Sequence, residues 1–262
     1  MSMGMLQLQS DDKSGKLYIV GTGPGGAAWM TGRAAEAIRE AEYVIGNAFY
    51  LEQIEALLEG KTVIRSSMGK EVERARRCID LAREHRVAMV SGGDPGVYGM
   101  AGIVLEVLEG SDAAVEVEVV PGVTAACAGA SLLGSPLTGD HVTLSLSDLL
   151  TPWEEIEHRL DCAFAMGVPV ALYNPKSRGR PENLSCALAI ALRHASPETP
   201  IGLVRNACRE GEATSVTTLG ALAADTSAVD MHTVVFVGGK ETVPTKNGGM
   251  LTPRGYRRKY VY

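Results

Sequence analysis

The chain has 262 residues, of which 45% are hydrophobic and 21% are charged, and its formal net charge at pH 7 is -6. This length allows one large or two medium-sized domains with apolar cores, and the ordinary charged fraction excludes wholesale disorder. The acidic balance offers no broad electrostatic attraction to nucleic acid, so we expect no nucleic-acid partner.

Cysteine and histidine usage predicts no metal site. None of the five cysteines belongs to a CxxC pair, and the five histidines are equally scattered. No stretch approaches the ~20 apolar residues that span a bilayer, so we expect no membrane partner. Residues 1–15 are interpreted as a polar leader that lacks the apolar core of a signal peptide. Reduced thiols and a cytoplasmic location are therefore predicted.

From residue 16 to residue 120, short apolar runs alternate with helical patterns. Such alternation predicts a domain of the α/β class with a largely parallel sheet. The predicted strands are 17–20, 43–45, 62–64, 87–90 and 115–120. The predicted helical segments are 31–41, a stretch that reaches residue 58, 71–85 and 101–108.

Pro121 and Gly122 interrupt this series, and a second α/β domain is predicted over residues 121–240. Its predicted strands are 142–146, 169–173, 201–205 and 233–237. Its predicted helices are 124–133, 153–165 and 184–194. Residues 241–262 are basic and aromatic, and we interpret them as a C-terminal tail outside the core.

The loop after the first predicted strand, 21–26 (GTGPGG), has the spacing GxGxxG of a dinucleotide site. Such a site also needs backbone N–H donors turned to a pyrophosphate and an acid at the end of the second strand. Pro24 removes one N–H, and the second strand ends at Ile45, Gly46 and Asn47 without an acid. A nicotinamide-dependent oxidoreductase is therefore a disfavoured alternative.

Two more loops rich in turn-forming residues follow predicted strands, 91–99 (SGGDPGVYG) and 120–125 (VPGVTA). In open α/β sheets ligands bind outside such strand ends, where glycine lets the backbone approach them. Asp94 has two interpretations: a hydrogen bond to the amine or ribose of a cationic cofactor, or an Asx-turn ahead of Pro95. Thr124 is a candidate cap of the next helix, beside N–H groups that a ligand can also contact.

Basic side chains cluster near three of the loops. Arg65 and Lys70 flank residues 66–69, and Lys176, Arg178 and Arg180 follow Tyr173-Asn174-Pro175, while further basic residues lie in the tail. Exposed arginine and lysine are usually solvated surface, but the arginine fork is well shaped to bind carboxylates. Basic loops in an acidic chain fit a small polycarboxylate ligand.

The three loops 21–25, 91–98 and 120–125, in this order, resemble the tetrapyrrole methylase family, and the resemblance extends from about residue 16 to residue 237. Three further stretches, 144–153 (LSLSDLLTPW), 172–177 (LYNPKS) and 251–256 (LTPRGY), are similar to the branch that methylates C17 of precorrin-3B or of cobalt-factor III. The resemblance implies two unlike α/β domains with the cofactor cleft between them, a homodimer, and a role in cobalamin biosynthesis.

The resemblance also implies that S-adenosylmethionine is the cofactor and S-adenosylhomocysteine its product. Backbone groups of strand-end loops are expected to supply most of the contacts. The implied cofactor-binding residues are Pro24, Gly92, Gly93, Asp94, Val97, Thr124, Ala125, Tyr173, Asn174, Asn206, Ala207 and Thr233.

The implied reaction is methylation of a precorrin at C17 with contraction of the ring. We expect Arg65, Lys70 or Arg178 to hold the acetate and propionate arms, and Ser145 or Ser147 to donate hydrogen bonds. The candidate general acids or bases are Asp148, Tyr98 and His141. Two alternatives stay open: a related methylase with another precorrin or porphyrinogen acceptor, and a tetrapyrrole carrier that transfers no methyl group.

Overall fold

The computed structural model describes residues 15–261, so all of the predicted leader except Gly15 lies outside the described residues. The chain divides by its internal contacts into two compact units, of which the first ends at Gly122 and the second begins at Val123.

The first unit is built on a five-stranded sheet in the order β3-β2-β4-β1-β5, in which every pair is parallel. Its strands are β1 (Lys16–Gly21), β2 (Tyr43–Asn47), β3 (Thr62–Ser66), β4 (Arg86–Ser91) and β5 (Glu116–Val120). Its helices are α1 (Gly32–Glu40), α2 (Ala48–Glu52), α3 (Glu71–Leu81) and α4 (Ala101–Glu109). The predicted parallel sheet is confirmed.

Side chains of β1, an inner strand between β4 and β5, are buried on both faces of this sheet. Val20 belongs to the same core cluster as Ile38 of α1, whereas Ile19 belongs to a cluster with Val104 of α4. A parallel strand covered on both faces is a continuous apolar run rather than an alternating one. Because all five strands run in the same direction, the loops after β4, β1 and β5 begin side by side at the carboxyl ends of three adjacent strands.

A second five-stranded sheet, in the order β10-β9-β11-β8-β7, forms the second unit. Only the pair β7 and β8 is parallel, so this sheet is of a different type from the first. Its strands are β7 (Val142–Ser145), β8 (Val170–Tyr173), β9 (Pro200–Arg205), β10 (Ala213–Thr218) and β11 (Thr233–Val237). The other elements are α5 (Ala125–Leu133), β6 (Gly134–Ser135), α6 (Trp153–Met166), α7 (Asn183–His194), α8 (Leu219–Ala224), β12 (Val243–Pro244) and β13 (Met250–Leu251).

The interpretation of residues 241–262 as a tail outside the core is wrong for β13. Met250 is fully buried, and β13 pairs with β6 and β12 in a three-stranded sheet. Gly202 of β9 leaves the space that Met250 fills, since a Cβ on Gly202 would lie 2.7 Å from the Met250 Sδ. The sulfur thus packs directly on the sheet.

Strand β10 and helix α8 were not expected. β10 (ATSVTT) lies at the edge of its sheet, and its first half is exposed, so it lacks the apolar pattern by which strands are recognised. The Thr218 hydroxyl caps α8 by accepting the Ala221 N–H. Within residues 15–261, no helix has the length and apolar character needed to cross a membrane.

Candidate active site

Backbone hydrogen bonds fasten the loop after β1 to the loop after β4. The Gly23 N–H donates to the Gly93 carbonyl at 3.1 Å, and the Gly93 N–H donates back to the Gly23 carbonyl at 2.8 Å. The Thr22 N–H adds a bond of 2.9 Å to the Ser91 carbonyl. The two loops therefore form one continuous structure at the carboxyl ends of adjacent strands.

Asp94 ties the third loop to the other two. Its Oδ1 accepts the Gly96 N–H at 2.8 Å, which closes the Asx-turn, and its Oδ2 accepts the Gly122 N–H at 3.0 Å. The carboxylate thus takes a backbone donor on each oxygen. Asp94 shapes the junction of the three loops, which we call the glycine junction (21–26, 91–99 and 121–122).

Two glycines of this junction are required by the close approach of one backbone to another. A Cβ on Gly21 would lie 2.7 Å from both the Gly122 nitrogen and the Gly93 oxygen. A Cβ on Gly122 would lie 2.2 Å from the Gly93 oxygen. Real Cβ atoms do not come this close, so any larger residue must push the loops apart.

The outer part of the junction is more open. A Cβ on Gly26, whose φ is +66°, would meet no atom within 4 Å, and Val97 and Tyr98 are 36% and 53% exposed. Pro24 is buried in the first loop. Open backbone beside a rigid junction is a cradle that suits a ligand held by peptide groups.

Tyr50 is a neighbour of the junction that sequence reasoning missed. A Cβ on Gly92 would lie 2.2 Å from the Tyr50 ring, so the ring lies directly against the Gly92 backbone. Tyr50 belongs to α2, and nothing in the sequence pattern of this short helix indicates that it packs on the loop after β4.

The basic candidates of the first unit lie at the end of an edge strand. Arg65 is an exposed residue of β3, paired in register with Gly46 of β2. Lys70 is exposed just before α3, and its Nζ is 3.1 Å from a carboxylate oxygen of Glu73. Two strands, β2 and β4, separate β3 from β1 in the sheet.

Most of the predicted cofactor-binding residues of the second unit lie at one end of the strands of its sheet. Tyr173 ends β8 and Thr233 begins the antiparallel strand β11, whose register pairs Thr233 with Arg205 at the end of β9. Asn174 and Asn206 follow β8 and β9 directly, and both have positive φ. The strand ends place these residues at one edge although they are far apart in sequence.

Thr124 does not cap α5 with its side chain, which corrects the prediction. The hydroxyl of Tyr173 takes that role, since its oxygen accepts the Ala126 N–H at 2.6 Å. The same oxygen lies 2.7 Å from the Thr124 Oγ. The end of β8 and the start of α5, which includes Ala125, are therefore joined through one phenol.

The side chains of Asn206 and Thr233 serve local turns. The Asn206 Nδ2 donates to the Glu210 carbonyl, while the Thr233 hydroxyl donates to the Asp230 Oδ1 at 2.9 Å and is buried. The Asn206 backbone N–H donates to the His232 carbonyl at 3.0 Å. Ala207, which follows Asn206, is buried. Together these residues hold the backbone in place after β9 and before β11.

The loop after β7 and the loop after β8 form a polar cluster. Ser145 Oγ accepts the Asn174 Nδ2 at 2.9 Å and the Ser147 N–H at 3.2 Å. Ser147 Oγ accepts the Arg180 Nη1 at 3.0 Å, and Arg180 Nε is 3.9 Å from Asp148 Oδ1. We call these five residues (Ser145, Ser147, Asp148, Asn174 and Arg180) the Arg180 cluster.

His141 lies at the opposite end of β7 from the Arg180 cluster. It precedes Val142, which pairs with Val170 at the start of β8, whereas Ser145 pairs with Tyr173 at its end. Its Nδ1 lies 3.2 Å from the Gly139 carbonyl, and the residue is exposed. The structure therefore separates His141 from Asp148, which lies with the Arg180 cluster.

The structure also distinguishes two arginines that are two residues apart. Arg178 is exposed, whereas Arg180 is only 8% exposed and contacts Ser147 and Asp148. The sequence alone assigned the substrate role to Arg178. Burial could not be read from this irregular loop.

Two remaining features bear on the chemistry. Within residues 15–261, no three His, Cys, Asp or Glu side chains are grouped so that they could hold a metal ion. At the end of β2, where a nicotinamide site needs an acid, the Asn47 Oδ1 instead accepts the Phe49 N–H at 2.9 Å and caps α2.

Residues 16–223 match the family of tetrapyrrole (corrin/porphyrin) methylases, and the chain belongs to that family. It is a methyltransferase by this membership. A cobalamin biosynthesis protein of Archaeoglobus fulgidus named CbiHC is 45% identical over 246 residues, which are 94% of this chain and 54% of the relative. A protein of Salmonella typhimurium named probable cobalt-factor III C(17)-methyltransferase is 45% identical over 92% of this chain and 99% of its own length. The chain thus spans about half of the first relative and nearly all of the second.

Solved structures give the same family. The crystal structure of the methyltransferase CobJ is similar with a TM-score of 0.86 and 34% identity, over 92% of this chain and 100% of that one. A uroporphyrin-III C-methyl transferase of Thermus thermophilus, complexed with S-adenyl homocysteine, has a TM-score of 0.64 and 25% identity, over 86% of this chain and 92% of that one.

Proposed function

We propose that this protein transfers a methyl group from S-adenosylmethionine to C17 of a precorrin-type tetrapyrrole, with contraction of the ring, in cobalamin biosynthesis. The observation that carries the proposal is the glycine junction, in a chain that matches 99% of the length of a relative named for C(17) methyl transfer. The acceptor is cobalt-factor III or precorrin-3B.

The glycine junction fits the proposed cofactor. A rigid junction with open backbone beside it offers peptide N–H and carbonyl groups, which can bind an adenosine and an amino-acid moiety without a specialised side chain. In the first unit the proposed contacts are Pro24, Gly92, Gly93, Asp94 and Val97. In the second unit they are Thr124, Ala125, Tyr173, Asn174, Asn206, Ala207 and Thr233. That the cofactor lies in a cleft between the domains stays a prediction.

Bound S-adenosylmethionine supplies an activated methyl group on a sulfonium. The protein's own contribution is to bind and orient, and holding two reactants in line is worth about 7–11 kcal/mol of the barrier. The partly buried Tyr173–Ala126 hydrogen bond and the Asp94 bonds keep the backbone from relaxing away from that geometry. Positioning of this kind needs no acidic or basic group at the methyl.

Ring contraction requires proton movement at the macrocycle, for which Asp148 and Tyr98 are the proposed general acids or bases. Arg65 and Lys70 are proposed to hold carboxylate arms, and Ser145 and Ser147 to contribute polar contacts. His141 is the weakest catalytic candidate, because it lies at the other edge of its sheet from Ser145.

The deciding experiment is incubation of the protein with cobalt-factor III or precorrin-3B and with S-adenosylmethionine labelled in its methyl group. We expect a product heavier by one labelled methyl, whose position at C17 is read by carbon NMR. Uroporphyrinogen III is the control acceptor. Transfer to the control alone would place the protein elsewhere in the family, and tight binding of every acceptor without transfer would identify a carrier.

The proposal also covers the oligomeric state of the protein and its location in the cell. We expect a homodimer, which light scattering coupled to size-exclusion chromatography would show as twice the mass of the chain. We expect the protein in the cytoplasmic fraction of its cell.

A further inference from the structure

Arg180 is buried but short of partners. It is 8% exposed, its Nη1 donates to Ser147 Oγ at 3.0 Å, and its buried Nε makes no hydrogen bond within residues 15–261. Asp148 is the nearest acid, and its Oδ1 is 3.9 Å from Nε, too far for a hydrogen bond. A buried charge without a hydrogen-bonded counter-charge is costly, so such a group normally has a partner.

The buried arginine of the first unit shows what a structural arginine looks like in this protein. Arg74 donates to Ser66 Oγ, to the Ser67 carbonyl at 3.3 Å and to Met100 Sδ at 3.3 Å, and it lies 3.6 Å from a Glu71 oxygen. The Arg74 Nε also makes no hydrogen bond, but the terminal nitrogens of Arg74 contact acceptors from four residues. The Arg180 guanidinium instead has one hydroxyl and a distant carboxylate, which is what distinguishes it from Arg74.

The rest of the Arg180 cluster does not supply the missing acceptor. Ser145 Oγ already accepts from Asn174 and from the Ser147 N–H, and Asn183 Nδ2 donates to the Leu146 carbonyl at 2.8 Å. The serine, amide and carbonyl groups beside Arg180 are occupied by one another and Asp148 is out of hydrogen-bond range, so the Arg180 Nε–H is left as an unused donor. This donor therefore needs an acceptor from outside the Arg180 cluster.

The position of Arg180 favours a ligand as that acceptor. The cluster lies beyond the carboxyl ends of β7 and β8, the one parallel pair of the second sheet, where α/β sheets bind ligands. A guanidinium fork matches a carboxylate with two parallel N–H bonds. A ligand carboxylate there would take the Nε donor and complete the charge pair.

We infer that Arg180, assisted by the Ser147 hydroxyl, is the binding site for one carboxylate arm of the tetrapyrrole. The inference rests on the proposed function, and it assigns to buried Arg180 the role that was predicted for exposed Arg178. Arg180 and Ser147 fix the orientation of the macrocycle through that arm.

Steady-state kinetics with cobalt-factor III test this assignment in the full chain. Arg180→Met should raise the KM for the tetrapyrrole about 10- to 100-fold, because a charge-assisted pair is lost, while the Kd for S-adenosylhomocysteine stays within twofold. Arg180→Lys keeps the charge but not the fork and should raise the KM less. Arg159→Met, which removes an exposed arginine of α6, is the matched control and should behave as wild type. An unchanged KM in both Arg180 variants, or a rise in Arg178→Met alone, overturns the inference.

A binding measurement separates failure of the inference from failure of the proposed function. In ¹⁵N-labelled protein, the Arg180 Nε–H resonance, assigned by its loss in Arg180→Lys, should shift and saturate on titration with uroporphyrin III, a non-reacting tetrapyrrole with acetate and propionate arms. A shift without methyl transfer to any acceptor would contradict the proposed function alone. Methyl transfer with no shift of this resonance would contradict the carboxylate site alone.

Discussion

The phenol oxygen of Tyr173 lies 2.6 Å from the Ala126 nitrogen and 2.7 Å from the Thr124 Oγ. One hydroxyl thus joins the last residue of β8 to the first turn of α5, 47 residues away in the chain. Helices leave their first N–H groups without partners, and short polar side chains just before the helix usually accept them. Here a tyrosine from another element does so.

Removal of that hydroxyl should loosen the start of α5. Tyr173→Phe is expected to lower the free energy of unfolding by about 1 kcal/mol, the usual value of an N-terminal cap, and to weaken binding of S-adenosylhomocysteine. Urea unfolding and calorimetry measure the two effects. Tyr43→Phe is the matched control, because Tyr43 packs against His85 through its ring. Equal effects of the two substitutions would contradict a special role for the Tyr173 hydroxyl.

Asp94 should act on the cofactor through the shape of the glycine junction. Asp94→Ala removes the carboxylate oxygens that accept the Gly96 and Gly122 N–H groups. It is expected to weaken binding of S-adenosylhomocysteine about 10- to 100-fold. Asp94→Asn keeps one carbonyl oxygen, so its loss should be smaller. Calorimetry measures each Kd, with the exposed Asp112→Ala as the control. Unchanged affinity in Asp94→Ala would remove this residue from the cofactor site.

The regular elements of this fold were predictable where apolar side chains repeat with a clear period. β1 and β4 are continuous apolar runs because helices cover both faces of their sheet, and the sequence shows them directly. β10 was missed because an edge strand of threonine and serine carries no such signal. Met250 was assigned to a tail because its partner, the space above Gly202, exists only in the folded chain.

The candidate site was predictable as a set of loops but not as a set of contacts. Glycines and a proline after strands indicate where a backbone turns sharply, and the three loops of the junction were recognised on that basis. Whether Asp94 faces its own backbone or a ligand, and whether Arg178 or Arg180 is buried, depends on distances between segments. Local residue patterns contain no information about such distances.

Acid should weaken the edge of the first sheet. The Arg33 guanidinium binds Glu118 through two bonds of 2.7 and 2.9 Å and, with Lys16 beside it, lowers the pKa of Glu118 from 4.5 to about 2. A carboxylate with a lowered pKa stabilises the fold at pH values above its unfolded pKa, and this contribution is lost as the pH falls through 4.5 toward 2.

Glu118→Gln measures that contribution. At pH 7 the variant should be less stable than wild type by about 1 kcal/mol, since solvent screens an ion pair on a partly exposed strand, and the difference should shrink toward zero near pH 2. Urea unfolding across this pH range is the measurement, with the exposed Glu59→Gln as the control. A difference that grew on acidification would contradict the assigned pairing.

Thiol reactivity should follow burial. Cys78 is fully buried in α3, and burial raises its pKa to about 12, whereas Cys127 and Cys162 are exposed. The thiolate is the reactive form, so iodoacetamide at pH 8 should label Cys127 and Cys162 in the native protein and spare Cys78. Peptide mass spectrometry reads the labels, and urea-unfolded protein is the control in which all five cysteines react. Rapid native labelling of Cys78 would show that α3 opens.

The contact between Gly122 and Gly93 should be the most sensitive point of the glycine junction. Gly122→Ala places a Cβ 2.2 Å from the Gly93 carbonyl oxygen, so the loops after β4 and β5 must separate and the Gly122 bond to Asp94 must stretch. We expect loss of S-adenosylhomocysteine binding and a destabilisation of about 1–3 kcal/mol, typical of a forced overlap. Gly102→Ala is the matched control: it lies in α4 with no atom within 4 Å of the added Cβ, and alanine there should stabilise the helix by about 0.5–1 kcal/mol. Calorimetry and urea unfolding of both variants give the comparison, and wild-type cofactor affinity in Gly122→Ala would show that the close approach of the two loops is not what forms the site.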